Sequence, residues 1–239
     1  MQKEITIALA GNPNSGKTTV FNNFTGAHQH VGNWPGVTVE RKEGSYNYPG
    51  YKVKVVDLPG VYSLTTFSPD EIVARNFILE GKPDVVVDVV DASNLERNLY
   101  LTVQLLELEV NLVLALNMMD VAASRGHRID VELLSQELGV RVVPLVASRT
   151  EGHELLLREI VHAYRAGREW PKVKLNYGSE LEEHIRELES AIAGTEALAQ
   201  RYPPRWLAIK LLENDSEILN RLGIGEVCPR VLEEVKAAV

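Results

Sequence analysis

Residues 11–18 read Gly11-Asn-Pro-Asn-Ser-Gly-Lys-Thr18, a G-x-x-x-x-G-K-[ST] string. A short apolar run of β type, residues 5–10, precedes it, and a helix-forming pattern over 17–25 follows. A glycine-flanked loop between strand and helix aims backbone N–H groups at one point, where the helix dipole also favours negative charge. Gly11 and Gly16 let the backbone wrap phosphates, with Ser15 and Thr19 in the same wrap. Lys17 neutralises β- and γ-phosphate oxygens and the Thr18 hydroxyl ligates Mg²⁺. A chance glycine-rich turn is the competing reading, and the order strand, loop, helix weighs against it. The string predicts a nucleoside triphosphate site.

Around this loop, β runs at 5–10, 37–43, 52–57, 84–90, 111–117 and 141–145 alternate with helical patterns at 17–25, 69–79, 95–108, 131–138 and 152–166. Such alternation predicts an α/β P-loop fold with a mostly parallel, six-stranded sheet. Val85-Val-Val-Asp-Val-Val90 and Leu112-Val-Leu-Ala-Leu116 are nearly continuous apolar runs, as central strands covered on both faces require. In open sheets of this kind ligands sit at the carboxyl ends of strands. The pattern changes after residue 167, so residues 1–167 are read as a nucleotide-binding domain and 168–239 as a small all-helical domain. Ser179-Glu-Leu-Glu182 reads as a capping box ahead of Leu181, Ile185, Leu188 and Ile192 at helical spacing. Pro203-Pro204 precedes a helix over 205–213, and Gly223 and Gly225 predict a break before a last helix near 227–239.

Composition narrows the partners. A net charge of −8 over 239 residues argues against a general nucleic-acid role, because phosphate backbones recruit a Lys/Arg surplus. The single cysteine, Cys228, leaves no intramolecular disulfide and no thiolate metal cage, which suits a reducing cytoplasm. The N-terminus enters a strand without a signal-peptide pattern, and no run approaches the roughly 18 apolar residues that cross a bilayer. The chain is expected to be soluble.

Further motifs fall at strand ends. Asp57-Leu-Pro-Gly60 offers a carboxylate to Mg²⁺ and the Gly60 N–H to a γ-phosphate, although D-x-x-G alone also marks an ordinary turn. In Asn117-Met-Met-Asp120, Asp120 accepts from guanine N1–H and the 2-amino group, which adenine lacks, so the motif selects GTP. Asn117 would tie this loop to the phosphate loop. Met118, standing where lysine is usual, would cover the base. Ala147-Ser-Arg149 falls where a backbone N–H meets guanine O6, with Ala147 and Ser148 as candidate contacts. Thr38 is the candidate switch threonine that closes on Mg²⁺, against the plainer reading of a β-branched residue in a strand. Val61 follows D-x-x-G where glutamine commonly orients the attacking water, so hydrolysis is expected to be slow. Asn14 could hold a monovalent cation against the phosphates in place of an arginine finger. His28 and His30 are exposed-loop histidines, and no cluster of ligands forms an iron site.

Together these motifs, with Val31-Gly-Asn-Trp-Pro-Gly-Val-Thr-Val-Glu-Arg-Lys-Glu-Gly44, Asp57-Leu-Pro-Gly-Val-Tyr-Ser63 and Val90-Asp-Ala-Ser-Asn-Leu-Glu-Arg-Asn-Leu-Tyr-Leu101, closely resemble the cytosolic amino-terminal part of prokaryotic ferrous iron transport protein B, FeoB. The resemblance implies a GTPase domain, a helical domain that favours the GDP state, and a membrane-embedded iron-permeation domain as partner. It places the complete protein at the cytoplasmic face of the inner membrane and leaves homo-oligomers open. It implies GTP/GDP, Mg²⁺ and K⁺ as cofactors, with K⁺ held by Asn14 and the carbonyls of Gly32 and Trp34. It links Asp70 and Glu71 to water positioning. Catalysis then falls to Asn14, Lys17, Thr38 and Gly60. Ala147-Ser148 departs from the commoner Ser-Ala order. Two other readings use the same residues: an occupancy switch that hydrolysis only resets, and a ribosome- or tRNA-associated GTPase.

Overall fold

The computed structural model describes residues 3–26, 28–65, 68–167 and 175–226. The chain divides into two compact units, one of Met1–Leu106 and Val110–Val173, the other of Glu107–Glu109 and Lys174–Val239.

The first unit is a seven-stranded sheet in the order β2-β3-β4-β1-β5-β6-β7. Its strands are β1 (Lys3–Gly11), β2 (Gln29–Asn33), β3 (Glu40–Tyr48), β4 (Tyr51–Asp57), β5 (Val85–Asp91), β6 (Leu112–Asn117) and β7 (Arg141–Pro144). β4, β1, β5, β6 and β7 run parallel, while β2–β3 and β3–β4 are antiparallel. Six strands were expected, and the seventh comes from a hairpin that the sequence pattern hides. The β run predicted at 37–43 is displaced: residues 34–39 are loop, with β2 before them and β3 after. Gly36 adopts φ +77 there, which the β reading of Val37-Thr-Val overlooked. β3 then runs on to Tyr48 and turns through Pro49-Gly50, proline at the first central position and glycine at φ +83 in the second.

Helices α1 (Lys17–Thr25), α2 (Pro69–Gly81), α3 (Leu95–Glu107), α4 (Met119–Ser124) and α5 (Val131–Leu138) lie between strands, and α6 (His153–Ala166) follows β7. One sheet face buries Ile7, Leu9, Val55, Val87 and Val89 against Phe21 and Phe24 of α1 and Leu157 and Ile160 of α6. Because strand side chains alternate, Val86, Asp88 and Val90 face the other way, where Thr102 of α3 meets Asp88. α4 was not predicted. It is a short turn of helix started by Met118 in the left-handed region.

In the second unit lie α7 (Ser179–Ala193), α8 (Glu196–Arg201), α9 (Pro204–Leu212) and α10 (Ser216–Glu226). Of the four apolar residues at helical spacing, Ile185, Leu188 and Ile192 are buried while Leu181 is exposed, and Trp206 and Leu207 are buried as well. The capping box at Ser179 does not form: the N-cap is Gly178, without a side-chain bond. Glu182 is drawn instead to the Tyr177 N–H and to Arg205. The box that does form is Ser68 with Glu71 at the start of α2. α10 runs through Gly223 and Gly225 rather than breaking there. The helix expected near 227–239 and Cys228 lie outside the described residues.

Candidate functional site

The phosphate loop leaves β1 at Gly11 and enters α1 through Gly16, whose φ of +90 suits glycine. α1 has neither a side-chain N-cap nor an acidic residue in its first turn. Its leading N–H groups therefore remain available to an anion. The Ser15 hydroxyl and both side-chain polar atoms of Asn12 are buried without protein partners. Such groups cost free energy unless a ligand or water meets them. Asn14 is exposed and takes a left-handed φ of +65, and Thr18 and Thr19 are exposed on the first turn of α1.

The Lys17 ammonium donates to the Asp57 carboxylate at the end of β4, and both side chains are buried. Burial raises the Asp57 pKa, and Lys17 works against that shift. The Asp57 loop also reaches the phosphate loop directly. The Val61 N–H donates to the Gly11 carbonyl at 3.3 Å, and Gly60 stands against the Pro13 backbone. Asp57, Gly60, Lys17 and Thr18 thus gather at the carboxyl ends of β1 and β4. Hard carboxylate and hydroxyl oxygens beside an uncapped helix fit Mg²⁺ with phosphate.

Asn117, closing β6, joins three loops. Its Nδ2 donates to the Ser15 carbonyl at 2.9 Å and its Oδ1 accepts the Ala147 N–H at 2.9 Å. The Met118 methyl lies near Gly16, 3.7 Å from where a Cβ there would stand, so the thioether sits beside the phosphate loop. Asp120, half-buried at the start of α4, pairs with Arg149 at 3.6 Å. Ala147 is buried, and Ser148 is exposed in the turn after β7. Three contributors were not anticipated. Asn23 of α1 donates to the Ala147 carbonyl at 2.8 Å, Arg149 pairs with Asp120, and Asn12 buries its amide. Asn12 and Arg149 sit at unspecified positions of the motifs that contain them, and only the polar stretch Asn22-Asn23 within α1 hinted at Asn23.

The residues between β1 and β4 gather elsewhere. Thr38 is exposed in the 34–39 loop, Gly32 pairs with Arg41 across the hairpin, and the Trp34 carbonyl accepts the Val37 N–H at 3.3 Å. Among the described residues, no hydrogen bond or ion pair joins Thr38, Gly32 or Trp34 to the phosphate loop. Glu71 is committed to its cap and to the Ser63 hydroxyl at 2.7 Å, while Asp70 is exposed. Among the described residues no three His, Cys, Asp or Glu side chains gather as a metal site, and no helix is long and apolar enough to cross a membrane.

A mostly parallel sheet whose strand ends carry a phosphate loop, an aspartate–glycine loop and an asparagine–aspartate loop defines a P-loop GTPase domain. The chain belongs to the FeoB family: the model of ferrous iron transport protein B matches residues 5–160, and that of the FeoB cytosolic helical domain matches residues 177–239. The Fe(2+) transporter FeoB of Salmonella typhimurium strain LT2 is 50% identical over 229 residues, covering 94% of this chain. The chain spans 28% of the length of the curated relatives it matches. A GDP-bound point mutant of S. thermophilus NFeoB superposes with a TM-score of 0.88 at 40% identity, over 98% of this chain and 87% of that one. The cytosolic domain of the T. maritima FeoB iron transporter in a GDP form gives 0.86 at 38% identity, over 99% and 98%.

Proposed function

We propose that this chain binds GTP with Mg²⁺ and hydrolyses it slowly to GDP and phosphate, as the regulatory part of a ferrous iron transporter. Residues 1–167 are the GTP-binding domain and 168–239 the helical domain that favours GDP. The partner is a membrane-embedded iron-permeation domain, with this chain at the cytoplasmic face of the membrane and no nucleic acid bound. The observation that carries the reading is Asn117, whose one amide links the phosphate loop to the base-contacting turn.

In this reading Gly11, Ser15, Gly16, Lys17 and Thr19 hold the phosphates. Asn117, Met118, Asp120, Ala147 and Ser148 hold guanine. Thr18, Asp57 and Thr38 would hold Mg²⁺, which neutralises charge developing on the phosphate oxygens. Lys17 then leaves Asp57 for the β- and γ-phosphates, and Gly60 gives its N–H to the γ-phosphate. Asn14, with the Gly32 and Trp34 carbonyls, would hold K⁺, whose charge does what an arginine finger does elsewhere. The GDP found in S. thermophilus and T. maritima relatives agrees with the nucleotide assignment.

GTP turnover by the chain in potassium against sodium buffer, with Asn14→Ala alongside, tests this. Turnover raised by potassium and lost in the variant is expected. Equal rates in both salts overturn the cation role, and no guanine-nucleotide binding overturns the reading as a whole. Val61 also favours a second reading, an occupancy switch that hydrolysis only resets. Buried and bonded to Gly11, it brings no polar group to orient water. Iron transport that persists in a Thr38→Ala protein that binds GTP without hydrolysing it would select that second reading.

A further inference from the structure

Every described residue from 28 to 38 is exposed except Trp34, which is 8% exposed. Its indole packs edge-on against Phe77 of α2, ring centroids 5.2 Å apart, and the Arg41 guanidinium lies 4.7 Å over it. Gly81, one turn on, keeps this seat open: a Cβ there would stand 2.9 Å from the Phe77 ring. The Trp34 backbone closes the loop that carries Thr38, its N–H donating to Val39 at 2.9 Å and its carbonyl accepting from Val37.

The seat is not an optimised core. The indole N–H is buried without a hydrogen-bond partner. A burial penalty of that kind is comparable with what an aromatic pair and an exposed cation–π contact return. The seat thus holds an unmet donor that water would satisfy if the indole left it. At its far end α2 is tied to the loop after Gly60 through Glu71, which accepts from Ser63 and Ser68. One helix thus touches the indole at one end and the aspartate–glycine loop at the other.

We propose that Trp34 is a positioning residue that couples the two switch segments. Seated on Phe77 it keeps Thr38 in the closed 34–39 loop, and Thr38 reaches the metal only as the indole leaves α2. The seat thereby favours GDP over GTP. The proposal rests on the guanine-nucleotide reading above.

The test compares tryptophan emission of the whole chain with GDP and with GMPPNP plus Mg²⁺, using Trp34→Phe as the spectral blank to isolate Trp34 from Trp170 and Trp206. A red-shifted, more acrylamide-accessible Trp34 component with GMPPNP is expected. Phe77→Ala should raise the GMPPNP-to-GDP affinity ratio about fivefold, and Phe77→Leu less, within the usual range of coupling between sites. Identical Trp34 emission in the two nucleotides overturns the coupling. So does an unchanged affinity ratio in a Phe77→Ala chain that melts as cooperatively as the wild type. A wild-type chain that binds neither nucleotide overturns the guanine-nucleotide reading itself, and the coupling with it.

Discussion

A methyl group on Gly16 would stand 2.2 Å from the amide nitrogen of Asn117, so the phosphate loop and the Asn117 loop are in contact where a side chain is missing. Gly16→Ala is therefore penalised twice. An L residue at φ +90 costs on the order of 1–2 kcal/mol, and displacing a buried amide costs about 1–3 kcal/mol more. The expected outcome is a lowered melting temperature together with at least a tenfold loss of GDP affinity, read by fluorescent-nucleotide titration. Asn117→Ala should lose comparable affinity without the backbone strain.

Asp88 lies inside β5, accepting the Thr102 hydroxyl at 2.6 Å. Burial pushes its pKa up to about 7, and the Thr102 hydroxyl opposes the shift. The unfolded chain loses this proton near pH 4. Between pH 4 and 7 the folded state therefore binds more protons than the unfolded one, and stability falls as pH rises through that window. The full effect is on the order of 4 kcal/mol at roughly 1.4 kcal/mol per pH unit. Asp88→Asn should flatten the dependence and leave the chain more stable at pH 8, as measured by urea unfolding across pH.

Local rules made much of this architecture legible. The helices read at 17–25 and 131–138 have those bounds in the structure: Gly16 and Gly26 flank the first, and an Asp130 cap and Gly139 bound the second. The displaced strand at 37–43 marks where such rules stop. β2 is exposed along its whole length, so no burial period marks it, and its register depends on β3 across a loop. The Ser179 box failed for a related reason: Arg205, distant in sequence, competes for the same Glu182. Motif spacing singled out Lys17, Asp57 and Asn117, through which neighbouring loops are joined, but spacing carries no sign of Asn23 or of the Trp34 seat. Both exist through tertiary contacts.

Asp120→Asn should change which base is held. A carboxylate accepts from both N1–H and the 2-amino group of guanine, whereas a carboxamide presents one acceptor and one donor. The donor opposes a 2-amino group and suits a 2-oxo group. Charge-assisted hydrogen bonds are worth about 1.5–3 kcal/mol, so GTP affinity should fall on the order of 10- to 100-fold. Xanthosine triphosphate should gain relative to GTP, as competition binding would show. Arg149, which pairs with Asp120 at 3.6 Å, makes Arg149→Ala a smaller perturbation of the same loop.

In the helical unit Arg205 sets the start of α7. Its Nη1 and Nη2 donate to the two Glu182 carboxylate oxygens at 3.1 and 2.6 Å, and Nη2 also donates to the Leu175 carbonyl at 2.7 Å. Pairing with Glu182 raises the Arg205 pKa, and the residue is 8% exposed. Breaking a buried, bidentate pair strands a charge, at a cost of about 3 kcal/mol. Glu182→Gln should lower the urea midpoint of the helical unit accordingly. Glu217→Gln, which removes an i,i+4 partner of Arg221 on a more open helix face, should cost only about 0.3–0.5 kcal/mol. Equal losses in the two variants would mean that Arg205 is held by the Leu175 carbonyl and by its packing rather than by Glu182.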